Sequence, residues 1–334
     1  MTETAAIVDE SPPGQPAPMD MQAVEAGTER VIRLEPATKA RLKEIPRAAP
    51  LLYTCFNLGT YVGLSVLAFT VNAAPLWAFV WLMQGIIIVG MWNVTHDCAH
   101  GKYARSHRVN RIAGRMFSAP ILLNFTIYKH SHLQHHATVG TDEDTEPPYP
   151  HMTTFTQYAL AIALYGVGML FGRGSPLISG WRALLLRDFP PFLRTDRIRR
   201  QAVVDQLVVV SWIVLVAVAL VVAPRLVVMA YLVPLAVYGP FFCIAVLGEH
   251  YDTDGGTDIL TNAHTTRSNV LLRTLLWNSN FHAEHHAFPT IPSYNLPELH
   301  GIIGHHFKYR STGYAASVGR TAWTLLRRTD APRR

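Results

Sequence analysis

An all-α integral membrane protein is the fold class this sequence predicts, and three observations predict it. From Ala48 to Thr95 there is no Asp, Glu, Lys, Arg or His. A second pair of charge-free runs, Leu207 to Ala223 and Leu226 to Gly248, is separated by Pro224 and Arg225 alone. Over 334 residues, 49% are hydrophobic and 16% charged, too few charges for a soluble chain of this length with helices apolar on every side.

Residues 1 to 29 hold six acids (Glu3, Asp9, Glu10, Asp20, Glu25 and Glu29) and no Lys or Arg, leaving roughly +12 on the remainder. Rich in Pro, Gly, Glu and Ala and lacking an apolar period, residues 1–35 are expected to be a disordered acidic tail. They contain no apolar core of a signal peptide. The first uncharged stretch accommodates two crossings of about 20 residues, near 50–71 and 75–95, with Val71-Asn72-Ala73-Ala74-Pro75 as the turn. The second pair gives crossings near 205–223 and 226–248. Four transmembrane helices in two hairpins, plus a cytoplasmic helical cap, would then occupy a membrane domain of residues 36–310, followed by a basic C-terminal tail at 311–334.

Basic residues set the orientation. Lys39, Arg41, Lys43 and Arg47 precede the first span, Lys102, Arg105, Arg108, Arg111 and Arg115 follow the second, and the turn between has none. Both termini are therefore expected on the cytoplasmic side, with a bacterial inner membrane as the location. Phe155 to Gly172 is also uncharged and near spanning length. It is expected to be an interfacial or re-entrant helix, because a shared metal site needs an even number of crossings between residues 136 and 282.

Three widely spaced cysteines without a CxxC pair exclude a disulfide scaffold and a zinc ribbon. The chemistry lies in the sixteen histidines. Three clusters have helical spacing: His96 and His100; His132, His135 and His136; His282, His285 and His286. Positions i, i+3 and i+4 share a helix face, so several imidazoles of each cluster can reach one metal. Eight imidazoles suit two ions with positions left open for a reactant, iron being favoured over manganese or copper. A metal transporter would place its ligands near mid-bilayer in broken helices, whereas these lie at or beyond span ends.

The strings WNVTHDCAHG, YKHSHLQHHATVGTDEDTEPP and WNSNFHAEHHAFPTIPSYNLPELH resemble the membrane fatty acid desaturase and hydroxylase superfamily over roughly residues 50–305. The resemblance implies four spans, a cytoplasmic cap, a non-haem di-iron centre, and use of O2 on an unactivated C–H bond. It also implies a further histidine ligand at the end of the last span, which falls on His250. His264 is the rival, with Asn262 a water-mediated contact. Asp97, Asp142, Asp144 and Glu284 lie beside ligands and are candidates to accept an imidazole N–H. His107, His130, His151, His300, His305 and His306 fall outside the spacing and are expected to pack or face solvent.

The implied substrate is a fatty acyl chain on a lipid or thioester in the bilayer. A hydroxylase, ketolase or oxidative decarboxylase is the alternative. Two electrons must come from outside, since no haem motif, cysteine array or GxGxxG fingerprint is present. A ferredoxin-, rubredoxin- or cytochrome b5-type carrier with its NAD(P)H reductase is the expected partner, and no nucleic acid is. The basic face with Arg182, Arg187, Arg194, Arg197, Arg199 and Arg200 could dock an acidic carrier or contact lipid headgroups.

Overall fold

A computed structural model describes residues 21–146, 152–172 and 174–329. Helices α1 (Met21–Thr28) and α2 (Pro36–Leu42) precede a first hairpin of α3 (Ala49–Val71) and α4 (Ala74–Ala99). Pro50 and Pro75 sit in the first turns of α3 and α4, where the missing N–H has no helical partner to lose. Asn72 ends α3 in the left-handed conformation and donates its N–H to Ala68 O at 2.8 Å. Next come α5 (His107–Ser118) and α6 (Phe125–Thr138), the latter capped by the Asn124 side chain, which accepts from Ile127 N at 3.1 Å.

A capping box of Thr154 and Gln157 starts α7 (Phe155–Phe171), and α8 (Pro176–Leu185) leads into α9 (Asp196–Val222). The last long apolar run comprises α10 (Pro224–Val227), a π turn at Val228–Leu232, and α11 (Val233–His250). Widening the helix frees carbonyls there. Met229 O accepts from Trp81 Nε1 at 2.8 Å and Ala230 O from the Tyr61 hydroxyl at 2.7 Å, tying this run to the first hairpin. The remainder forms α12 (Val270–Leu275), α13 (His282–Ala287), α14 (Leu296–Ile303) and α15 (Tyr314–Thr329). Strand β1 (His264–Thr266) pairs in parallel with β2 (Tyr309–Ser311).

Among the described residues five helical stretches are long and apolar enough to cross a membrane: Ala49–Val71, Ala74–Ala99, Phe155–Leu185, Asp196–Val222 and Pro224–His250. Four coincide with the expected spans, and the fifth contains the Phe155 to Gly172 stretch expected at the interface. α9 starts at Asp196 rather than near 205 because its polar residues are paired. Asp205 accepts from Arg115 Nε at 2.5 Å and from Thr126 N at 2.9 Å, and Gln206 lies 3.2 Å from Asn124 Nδ2. α7 runs along α11. A Cβ on Gly239 would meet Gly166 Cα at 3.0 Å, so the two glycines let the helices approach closely. Ser175 then turns the chain by hydrogen bonding to Leu170 O at 2.9 Å, and α8 packs its Gly180 against Gln206 of α9.

The expected disorder does not reach residue 35. Glu25 is buried, accepts from Thr290 N at 3.0 Å and pairs with Lys43 at 2.7 Å and Lys39 at 3.3 Å. Ile32 and Leu34 enter an apolar core with Phe288, Ile291 and Leu296. Composition cannot reveal this, because Thr290, Phe288, Ile291 and Leu296 lie more than 250 residues away. Residues 1–20 fall outside the described part. The basic C-terminal segment is helical through α15, with Leu325 buried beside Tyr158 and Cys243.

Candidate metal centre

Four elements deliver the clustered histidines to one place. α4 carries His96 in its last turn, and His100 forms its C-cap; α6 carries His132, His135 and His136; α11 ends on His250; the short, wholly buried α13 carries His282, His285 and His286. In one group, His96, His100, His132, His136 and His285 each offer a ring nitrogen within 4.8 Å of the others'. In a second group His135, His250 and His286 do the same. His282 joins the second group through Nε2, 2.9 Å from His250 Nε2. The groups touch, since His136 and His286 stack at 4.2 Å between ring centroids.

Three of the Nδ1 atoms face acceptors. His132 Nδ1 lies 3.0 Å from Glu146 Oε2, His135 Nδ1 2.8 Å from Asp144 Oδ1, and His250 Nδ1 2.7 Å from Asn262 O. Each contact fixes the tautomer that leaves Nε2 free to donate its lone pair inward. His136 Nε2 sits 3.1 Å from His132 Nε2 and 3.0 Å from His285 Nε2, so lone pairs converge where no proton need be.

Burial pushes His100, His136, His282, His285 and His286 well below the usual histidine range, and His132 to about 4. They are neutral ligating forms at neutral pH. His135 goes the other way: burial opposes its charge, but the Asp144 hydrogen bond and the charges of Glu146 and Asp144 raise it. Both ring nitrogens of His100, and Nδ1 of His136, are buried without a hydrogen-bond partner among the described residues. Unpaired buried nitrogens cost about 1–3 kcal/mol each, a cost that a coordinated cation removes. An all-nitrogen set backed by carboxylates, without thiolate, fits iron better than structural zinc.

A cavity of about 540 Å³ reaches the histidines from between α4, α6, α7 and α11. Trp92, Leu164, Tyr165, Met169, Phe242 and Val246 form its apolar wall, while His96, His132, His135, His250, His282 and His285 face its other end. The combination of apolar length and a polar terminus suits an aliphatic chain presented end-on or along its middle to the centre.

Other expected site residues are placed differently. His264 is held away from the cluster, with Nε2 2.9 Å from Tyr251 O and its ring tilted against Tyr309, because β1 pairs with β2. Asn262 contributes its backbone carbonyl to His250 rather than its side chain. Glu284 turns from the cluster toward α14, accepting from the Thr265 hydroxyl at 3.0 Å and lying 2.5 Å from His300 Nδ1. Asp97 lies 3.6 Å from His96 Nδ1 and accepts from Trp277 Nε1 at 3.0 Å and Ser293 Oγ at 2.5 Å. Asp142 is exposed. His305 and His306 are exposed, with their rings tilted against each other at 4.0 Å between centroids. His130 is part-buried, burial pushing it to about 4, and His151 falls outside the described residues.

Sequence reasoning missed Glu146 and Glu249. Glu146 belongs to the same acidic run as Asp142 and Asp144, ten to fourteen residues beyond its histidines, and only the returning loop shows which acids face them. Glu249, 3.7 Å from His282 Nδ1, could have been found as the lone acid ending a charge-free span.

Comparison with known proteins agrees with this geometry. The family model described as fatty acid desaturase matches residues 75–317. The Delta(12)-fatty-acid desaturase of Vernicia fordii is 24% identical over 275 residues, covering 74% of this chain and 72% of that protein. The oleoyl-12-hydroxylase of Ricinus communis is 23% identical over 278 residues, with 75% and 72% covered. A ferredoxin-named sn-1 acyl-lipid omega-3 desaturase of Synechocystis is 31% identical over 98 residues, 29% of this chain and 27% of that protein. With more than half of its length matched by the family model and its histidines gathered at one buried centre, the chain belongs to the fatty acid desaturase family of membrane oxidoreductases.

Proposed function

We propose that the protein introduces a double bond into a fatty acyl chain, with O2 as co-substrate and two iron ions as cofactor. The observation that carries this reading is the convergence of nine imidazoles at the end of an apolar cavity. Two iron ions bound there would supply the power to activate O2 against an unactivated methylene. His96, His100, His132, His136 and His285 would hold one ion, and His135, His250 and His286, with His282, the other. Glu146, Asp144 and the Asn262 carbonyl hold the outer imidazole protons in place, so the ligand lone pairs stay aimed inward. Trp92, Tyr165, Met169 and Phe242 position the chain and exclude water, which limits oxidation to the methylene presented.

Parity supports four crossings. His136 and His286 stack together, and His250 ends α11 beside them. A full crossing by Phe155–Leu185 would put three crossings between His136 and His250 and so opposite sides of the membrane between stacked rings. The break between α7 and α8, where Ser175 bonds to Leu170 O, is consistent with a segment that does not cross as one straight helix. On the distribution of Lys and Arg, both termini are proposed to face the cytoplasm from the inner membrane. A ferredoxin-, rubredoxin- or cytochrome b5-type carrier with its NAD(P)H reductase would bring the electrons. The name of the Synechocystis relative favours the first.

The hydroxylase relative, matched as fully as the desaturases, keeps hydroxylation as the second reading. Expression in a host lacking both activities, followed by mass spectrometry of the membrane acyl chains, decides between them. A chain two hydrogens lighter supports desaturation. A hydroxylated chain supports the second reading, and an unchanged lipid profile from iron-loaded protein overturns both.

A further inference from the structure

Trp277 is fully buried, yet its backbone is left-handed at φ 61°, followed by Asn278 at φ 57°. Such angles are rare for a bulky side chain and are kept where the surroundings impose them. Their result is that the indole Nε1–H donates to Asp97 Oδ2 at 3.0 Å, while Asp97 Oδ1 lies 3.6 Å from His96 Nδ1. A carboxylate that accepts from the indole thus lies next to an imidazole of the metal centre, just beyond hydrogen-bond length. Around the indole lie Tyr53 at 5.2 Å, Tyr294 at 5.7 Å and Tyr103 at 6.1 Å between ring centroids. Tyr53 and Tyr294 also touch each other at 5.4 Å, and the Tyr294 hydroxyl donates to Tyr103 O at 3.1 Å. None of the four lines the cavity, so substrate binding does not account for them. Tyr103 is itself buried, and in sequence it follows the half-buried Lys102 and lies two residues before the exposed Arg105.

We propose that Trp277, with Tyr53, Tyr103 and Tyr294, is a one-electron relay between the His96 side of the metal centre and the surface at Lys102 and Arg105. Trp and Tyr are the side chains most easily oxidised by one electron, and closely spaced rings shorten each transfer. In one cycle Trp277 first gives an electron to the metal centre that O2 has oxidised, and a reduced electron-transfer protein then returns one to the relay. The carrier is oxidised by one, the centre reduced by one, and the relay is unchanged. Trp277 keeps its N–H in the hydrogen bond to Asp97, and each tyrosine that is oxidised in passing gives up its O–H proton and takes it back when the next electron arrives, so no net bond is made or broken over the cycle. The positive charge of Lys102 and Arg105 at the outer end complements an acidic carrier.

This inference rests on the di-iron reading above, and its test separates the two. Iron-loaded protein in detergent, chemically reduced with dithionite, is mixed with O2 without substrate, frozen, and examined by electron paramagnetic resonance. Wild type is expected to yield an aromatic radical. Trp277→Phe should lower that yield about tenfold or more, and Trp277→Tyr, which restores a redox-active ring, should recover it in part. Tyr103→Phe with Tyr294→Phe, nearly isosteric, guards against misfolding at Trp277 and should confine the radical to the indole. Iron per chain should be the same in all. Single-turnover product yield from reduced Trp277→Phe should match wild type, since the external supply is bypassed. No aromatic radical in wild type, or the same radical in Trp277→Phe, overturns the relay. Wild type that holds iron but makes no product from an acyl lipid overturns the desaturase reading instead.

Discussion

Replacing Asp144 with Ala tests the idea that a buried carboxylate holds one iron by holding a ligand's far nitrogen. Asp144 Oδ1 lies 2.8 Å from His135 Nδ1 and also accepts from Glu146 N at 2.8 Å, and its side chain is 2% exposed. Removal leaves two donors without an acceptor in a place water reaches poorly, at about 1–3 kcal/mol each. It also frees the His135 ring to rotate. Loss of such a partner lowers metal affinity by about 10- to 100-fold, equivalent to about 1.4–2.7 kcal/mol. Asp144→Asn should lose less, because its amide oxygen still accepts. The assay is iron per chain after equilibration with chelators of graded strength. Asp144→Ala should release one ion at weaker chelation than wild type while the ion of the other group stays, and the exposed Asp142→Ala should match wild type. Identical release curves for Asp144→Ala and wild type would refute the reasoning.

Three further outcomes follow from the same geometry. His250→Ala should lose iron and product together, while His264→Ala, whose imidazole is spent on Tyr251 O, should keep both; the opposite result in metal analysis would exchange their roles. Iron should leave the His135 group at higher pH than the His100 and His136 group. His135 is raised, so protons compete for it sooner as pH falls, whereas burial depresses the other two; metal content against pH checks the order. Glu25→Ala should loosen the N-terminal strap by about 1–3 kcal/mol by stranding Thr290 N–H, and faster tryptic cleavage at Arg30 or Arg33 would show it. Because its carboxyl is held low in spite of burial, chiefly by Lys43 and Thr290, that contribution is present above the ordinary glutamate range and lost as pH falls through the lowered value.

What could be read from the chain alone was whatever depends on short-range pattern. Charge-free runs located four apolar helices to within a few residues at most ends, and i, i+3, i+4 spacing picked out imidazoles that do converge. What failed depends on partners distant in the chain. Composition marks residues 21–35 as unable to fold by themselves, and they order only because Glu25 finds Thr290, and Ile32 and Leu34 find Phe288 and Ile291. The helical beginning of α9 was hidden because Asp205 reads as the end of an apolar run until Arg115 and Thr126 are beside it. Glu284 sits between two clustered histidines in sequence, yet helix geometry rotates it toward His300. Adjacency along a helix is not adjacency in space, and the same rule separates Glu146, which reaches His132, from Asp142, which does not.

Two histidine groups are proposed to hold two iron ions. Iron-57 Mössbauer spectroscopy with total metal analysis of the protein purified in detergent tests this most directly. The expected result is two irons per chain in wild type, with His285→Ala losing the ion of the His96 group first and His135→Ala the ion of the His250 group. A single zinc per chain with lipid-modifying activity retained, or full iron in both variants, would contradict it.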